Sequence, residues 1–317
     1  MCRQAKGLGG WFYFMLLSDA INNFGNWKKM SCETSTLKGY TLILKQFALF
    51  QKNCDLENVK LDSVMEWFNL MKDLDWDHNS FITKAMAIRK FFEFYSKQGF
   101  TVIDPWLIPI PKKKYKMQRV ATREEYEKII NAIPENNDPR HIRNRAIINL
   151  LWDTGARNGE ICSINVDDLD LVERRAVIQT EKSRGARPVR EIFWTKETNE
   201  NLKKWLAKRK HLEDVMIFKD YDALFIAVCG GGVHHNSGKR LQNKGLGEML
   251  RRCCKRAKIE TLNAHSFRHH MGHQIVKKGG SNSDVSNILG HSSLQSSFVY
   301  TQMTNVELKK RYELFVK

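Results

Sequence analysis

The stretch DPWLIPIPKKKYKMQR, residues 104–119, places the firmest limit on how this chain folds. Pro105, Pro109 and Pro111 lock φ and remove backbone donors, so no continuous helix or interior strand can pass through them. Lys112, Lys113, Lys114 and Lys116 follow at once. The chain therefore reads as two parts joined by a basic linker at 105–119, and 317 residues are enough for two cores.

Residues 1–15 read as an N-terminal extension. The run GGWFYFMLLSDA follows Arg3 and Lys6 and mimics a secretory leader. Its apolar core, Trp11–Leu17, is at the short end of the usual range, and Asp19 follows without a small-residue cleavage site, so secretion is rejected. Residues 16–104 read as a helical domain. Leu37, Tyr40, Leu44, Phe47 and Phe50 recur at spacings of three or four, as do Ile82, Ala85, Ile88, Phe92 and Tyr95. Lys84, Arg89 and Lys90 are assigned to the polar side of the second helix.

Residues 120–317 read as a second domain. Thr122 and Glu125 predict a capping box, and Asp138-Pro139 predicts the start of a helix that ends near Gly155. LDLVERRAVIQTEKSRGARPVREIFW suggests a small antiparallel sheet turning at Ser183–Gly185. Everything after about 197 reads as helical, apart from the loop VCGGGVHHNSGK. Cys229, His234 and His235 lie in that loop, but no second cysteine pair accompanies them, so it reads as a plain loop and no metal site is assigned.

Composition narrows the partner. There are 52 Lys and Arg against 35 Asp and Glu, a net charge of +17. Residues 1–110 hold 13 basic and 11 acidic side chains, so the excess belongs almost wholly to the second part. Such a field favours a polyanion. Seven cysteines without a C-x-x-C pair read as reduced thiols, and no apolar run approaches the ~20 residues of a membrane span. The expectation is a cytoplasmic protein without membrane contact.

Four short motifs carry the polar residues of interest. TGARNGE holds Arg157 and Glu160, three apart on one helix face. QTEKSRGAR holds Lys182 at the expected hairpin tip, and AHSFRHH holds His265 and Arg268, again three apart. LGHSSLQSSFVYT holds His291 and Tyr300. In this order and at these intervals they resemble the tyrosine recombinase, or phage integrase, family of the Xer-like or simple integrase type. The family's Arg–Lys–His-x-x-Arg–His–Tyr set falls on Arg157, Lys182, His265, Arg268, His291 and Tyr300, with the supporting acid at Glu160. Where the family's first motif is usually TGLR, this chain has TGAR, with the arginine in register.

The resemblance implies a mainly α fold with a small antiparallel β-sheet. It implies a two-domain DNA clamp made of a helical, SAM-like core-binding domain and a catalytic domain. It also implies site-specific recombination through a 3′-phosphotyrosyl intermediate and a Holliday junction, by a homotetramer on synapsed double-stranded DNA. The C-terminal tail after Tyr300 would pack on a neighbouring protomer. Lys38, Lys45, Lys84, Arg89 and Lys90 would approach the DNA, and Lys112, Lys113, Lys114 and Lys116 would track a phosphate backbone. The task would be to integrate or excise a mobile element, or to resolve dimers.

The chemistry explains the residue types. Attack on an anionic phosphodiester builds charge on the nonbridging oxygens, which Arg157 and Arg268 meet with bidentate forks. His265 and His291 add hydrogen bonds in the transition state. Tyr300 is the nucleophile, and the resemblance gives Lys182 the role of protonating the 5′-oxygen leaving group. Arginines supply the charge that a cation supplies elsewhere, so neither metal nor cofactor is expected. Two alternatives share parts of the pattern: a type IB topoisomerase-like enzyme that relaxes DNA, and a non-cleaving DNA-binding protein of the same fold.

Overall fold

The computed structural model describes residues 3–7, 10–74, 77–114, 118–180, 189–215, 218–228, 237–290 and Glu313, with side chains from Phe14 onward. The chain divides into two compact units, Met1–Lys116 and Met117–Lys317.

The first unit opens with an antiparallel ribbon of β1 (Arg3–Gly7) and β2 (Gly10–Phe14). The sequence reading assigned no strand here, yet four consecutive aromatics, Trp11 to Phe14, suit a pleated surface, and Gly7 pairs with Gly10 at the ribbon's end. Four helices follow: α1 (Leu17–Lys29), α2 (Thr34–Phe50), α3 (Leu61–Asp73) and α4 (His78–Ser96). The expected apolar face of α4 is buried along its whole length, from Ile82 to Tyr95. Its rings pack edge to face with those of its neighbours, Phe24 on Phe91 at 5.6 Å and Phe47 on Phe92 at 6.3 Å. The Tyr95 hydroxyl donates to the Ala20 carbonyl at 2.8 Å, which ties α4 to α1 without leaving a buried polar atom unpaired. The start of the proline-rich segment joins this core. Pro105–Leu107 forms one 3₁₀ turn, Ile108 is fully buried, and Arg89 donates to the Ile108 carbonyl.

The second unit begins with α5 (Arg123–Ala132), which carries the expected Thr122–Glu125 capping box. Next is α6 (Pro139–Thr154), with Asp138 as its cap and proline in its first turn. From Ala146 to Trp152 every residue of α6 is buried, so this is the central helix of the unit. After α7 (Asn158–Ser163) comes a three-stranded antiparallel sheet in the order β3 (Leu169–Asp170), β4 (Arg175–Gln179), β5 (Val189–Phe193). Residues of β4 and β5 alternate between exposed and buried, so Ala176, Ile178, Arg190 and Ile192 face inward. The expected turn at Ser183–Gly185 lies outside the described residues. Four helices complete the unit: α8 (Lys196–Val215), α9 (Asn243–Arg256), α10 (Ala264–Lys277) and α11 (Asn282–Leu289).

The segment between α8 and α9 departs from the helical expectation. Ala223, Leu224, Phe225 and Ile226 are fully buried outside any helix, with Ala223 bridged to Asn165 and Ile226 to Arg240. Arg240 explains why. Its guanidinium binds the Cys162, Ser163 and Ile164 carbonyls at the end of α7 and pairs with Asp220 at 2.7 Å. The fold is thus mainly α with a small antiparallel sheet, as the sequence implied. Among the described residues, no helix is long and apolar enough to cross a membrane.

Candidate active site

The site is built where the ends of α6 and α11 meet α10 and β5. Gly155 closes α6 in the left-handed conformation, with φ at 57°. A Cβ placed there would lie 2.9 Å from Leu289 Cδ2, 3.1 Å from Met271 Cβ and 3.3 Å from Arg268 Cα. Two elements, α10 and α11, therefore close on this glycine. Gly155→Ala is expected to cost about 1–3 kcal/mol, from left-handed strain and overpacking together. Urea denaturation of the two proteins checks this, and an unchanged midpoint would show that the approach is not tight.

Arg157 caps α7 just beyond that turn. Its Nη1 pairs with Glu160 Oε1 at 2.6 Å, and its backbone N–H donates to Glu160 Oε2 at 2.8 Å. Glu160 is fully buried, and Oε2 also accepts from Arg190 Nη2 at 2.9 Å. Burial alone would raise this carboxyl. The charge of Arg190, the backbone N–H of Arg157 and the remaining arginine contacts outweigh it, so Glu160 sits below the usual carboxylate range and stays ionised.

The last carbonyls of a helix have no partner within it. At the end of α11 three arginines from three different elements supply one each. Arg190 of β5 donates to the Ile288 carbonyl at 2.6 Å, Arg268 of α10 to Leu289, and Arg157 to Gly290 at 3.2 Å. Arg268 is 3% exposed and also donates to the Gly155 carbonyl at 3.0 Å. Gly290 is left-handed, with φ at 65°, and a Cβ on it would meet Arg190 Cδ at 2.5 Å and Thr180 Cγ2 at 3.2 Å. So Thr180, just past the end of β4 and two residues before Lys182, lies close to Gly290, the residue before His291.

His265 is exposed in the first turn of α10, one turn before Arg268. Its neighbour His269 is pushed down to about 4 by burial, with the charges of His265, His273 and Arg268 adding to the effect, so it is neutral at pH 7. The structure thus brings together Arg157, Glu160 and Arg268, with His265 a turn away. Lys182, His291, Tyr300 and Lys116 lie outside the described residues, as do Cys229, His234 and His235.

Of the basic residues expected to meet DNA, Lys38, Lys45, Lys90, Lys112, Lys113 and Lys114 are exposed. Lys84 corrects the expectation of a polar face. It is 6% exposed, its Nζ donates to Gln46 Oε1 at 3.1 Å, and it lies 6.0 Å from the Trp67 ring centroid. The long apolar stem lets the residue occupy a core-facing position while its amine finds an acceptor. Arg89 is half-buried and committed to the Ile108 carbonyl and the Trp106 ring. The sequence reading passed over Arg190. The signal was available: it occupies an inward strand position between residues that the alternation makes apolar.

A sequence model described as the Phage integrase family matches residues 119–307, more than half of the chain. The chain belongs to the phage integrase family. This integrase-family chain is 25% identical to Tyrosine recombinase XerD of Oceanobacillus iheyensis, over 95% of this chain and 99% of that one. It is 27% identical to Tyrosine recombinase XerC of Thermodesulfovibrio yellowstonii, over 94% of this chain and 95% of that one. The fold of the phage integrase family member matches that of the Tn1549 transposon integrase in complex with transposon right end DNA. The TM-score is 0.73 at 17% identity, covering 96% of this chain and 100% of that chain. It also matches the XerH site-specific recombinase bound to difH substrate, with TM-score 0.70 at 19% identity, covering 94% and 96%.

Proposed function

We propose that this phage integrase family member is a site-specific DNA recombinase that cuts and rejoins double-stranded DNA through a phosphotyrosine at Tyr300. The observation that carries the reading is the convergence of Arg157, Arg268 and Arg190 on the last turn of α11, one residue before His291. A guanidinium has five N–H donors, so the two Arg157 side-chain contacts to Glu160 and Gly290 leave further donors for the nonbridging oxygens. Arg268 supplies the second charge, and His265 and His291 donate as the pentacoordinate state forms. Tyr300 gives its phenolic proton to a neutral histidine of the set and attacks phosphorus, the P–O5′ bond breaks, and Lys182 gives a proton to the departing 5′-oxygen. The covalent tyrosyl phosphate conserves the bond energy, so a different 5′-hydroxyl can reverse the step without a nucleotide cofactor.

Exchange of both strand pairs in this way passes through a Holliday junction and requires four protomers on two duplexes. The tail after Tyr300 would dock on the next protomer, and the protein would act on DNA in the cytoplasm. The XerC and XerD relatives support recombination over the topoisomerase and non-cleaving alternatives. A plasmid carrying two directly repeated copies of the recognition site tests the reading. Resolution into two circles is the expected product; relaxation alone would assign a topoisomerase, and unchanged plasmid a binding protein.

The exposed lysines make a separate prediction. Each phosphate neutralised contributes about −0.9 to the slope of log K against log salt. Replacing Lys112, Lys113 and Lys114 with alanine should flatten the slope measured by fluorescence anisotropy by about 0.9 for each lysine on a phosphate. An unchanged slope would remove the linker from the interface.

A further inference from the structure

Arg190 occupies a position that strand geometry reserves for an apolar side chain. Its cross-strand partner is Ile178, and Ile192 is the next inward residue on its own strand. Its side chain is 6% exposed, and the Glu160 side chain it pairs with is fully buried. Buried ion pairs are weak sources of stability, because desolvation offsets most of the attraction and apolar replacements often serve as well. The pair is better explained by what it does to Arg157. Glu160 alone would neutralise the Arg157 guanidinium and compete with a phosphate for its donors. With Arg190 on Oε2, the Arg157–Glu160–Arg190 unit carries one net positive charge, and the carboxylate's demand is shared. The other end of the same guanidinium holds the Ile288 carbonyl, and its Cδ packs beneath Gly290.

We propose that Arg190 is a positioning residue that keeps the Arg157–Glu160 pair net cationic and anchors the last turn of α11. The inference rests on the recombinase reading, within which it assigns a role to a residue outside the six-residue catalytic set. The role depends on charge, and this separates it from simple packing. Removing the Arg190 charge alone leaves the unit neutral, whereas removing the Glu160 charge as well restores the net charge of one.

The test uses the full-length protein and a nicked suicide duplex bearing its site, with adduct formation followed on denaturing gels. Arg190→Gln should bind the duplex within about threefold of wild type and form adduct about 30- to 100-fold more slowly. Arg190→Lys, which keeps the charge, should stay within about fivefold of wild type. Glu160→Gln combined with Arg190→Gln should be at least about tenfold faster than Arg190→Gln alone, an outcome that a packing role would not give. Adduct formation by Arg190→Gln at the wild-type rate, or a double variant no faster than the single one, would overturn the proposal. If Arg190→Gln fails to melt cooperatively, Arg190→Lys decides: a rate within fivefold supports the charge role, and a loss above 30-fold overturns it. A wild-type protein that forms no adduct would instead sink the recombinase reading itself.

Discussion

Tyr300→Phe should fold, bind its site within about twofold of wild type, and yield no covalent complex with a nicked suicide duplex. Only a side-chain oxygen at that position can form the phosphodiester link, and phenylalanine keeps the ring while deleting the oxygen. The loss should be complete rather than partial, because no arrangement of charges replaces a missing nucleophile. Tyrosine is an inherently poor one, with an unperturbed pKa near ~10 and about one part in a thousand ionised at pH 7. On the recombinase reading the cations of the site lower that cost, and the variant removes none of them. Gel shift and denaturing gel electrophoresis on the same samples separate binding from chemistry. An adduct persisting in Tyr300→Phe would move the nucleophile elsewhere, with Tyr312 next in the sequence.

Arg268→Met should lose both chemistry and stability, in contrast to Tyr300→Phe. The guanidinium is buried, and it holds the Gly155 carbonyl at the end of α6 and the Leu289 carbonyl at the end of α11. Methionine fills a similar volume but leaves both carbonyls unpaired, at about 1–3 kcal/mol each before relaxation. A loss of about 2–4 kcal/mol in denaturant titration is expected, with cleavage falling by about 10² to 10³, as for the removal of one donor to a developing anion. Arg268→Lys keeps the charge but cannot span both carbonyls with a planar fork, so it should recover only part of each loss. A stable, fully active Arg268→Met would remove this residue from the site.

Much of this was legible because short-range chemistry dictated it. The Thr122–Glu125 box, the Asp138-Pro139 start and the Gly155 stop are local signals, and each appears where the residues required it. The three-residue spacing of Arg157 and Glu160 put them within reach of each other, and they form an ion pair, with Arg157 as the cap just before α7 rather than on its face. What escaped depended on partners distant in sequence. Arg190 is 30 residues from Glu160 and 98 from Ile288, so nothing in its own neighbourhood announces its role, apart from its inward register on β5. Lys84 was misassigned from its charge, although its spacing from Phe81, Ile88 and Phe91 puts it on the buried face, where Gln46 of another helix accepts from its amine. The buried run from Ala223 to Ile226 was expected to be helical because a short apolar run has no period of its own, and what holds it, the bridges to Asn165 and Arg240, is distant in sequence.

On the recombinase reading, an arginine–histidine cage lets Tyr300 attack DNA without a metal. The most direct measurement is to trap the wild-type protein on a nicked suicide duplex in EDTA, digest the adduct, and map the modified peptide by mass spectrometry. The expected product carries a single modified residue, Tyr300, joined to the 3′-phosphate at the nick. Attachment to another residue, or an adduct that forms only when magnesium is restored, would contradict it.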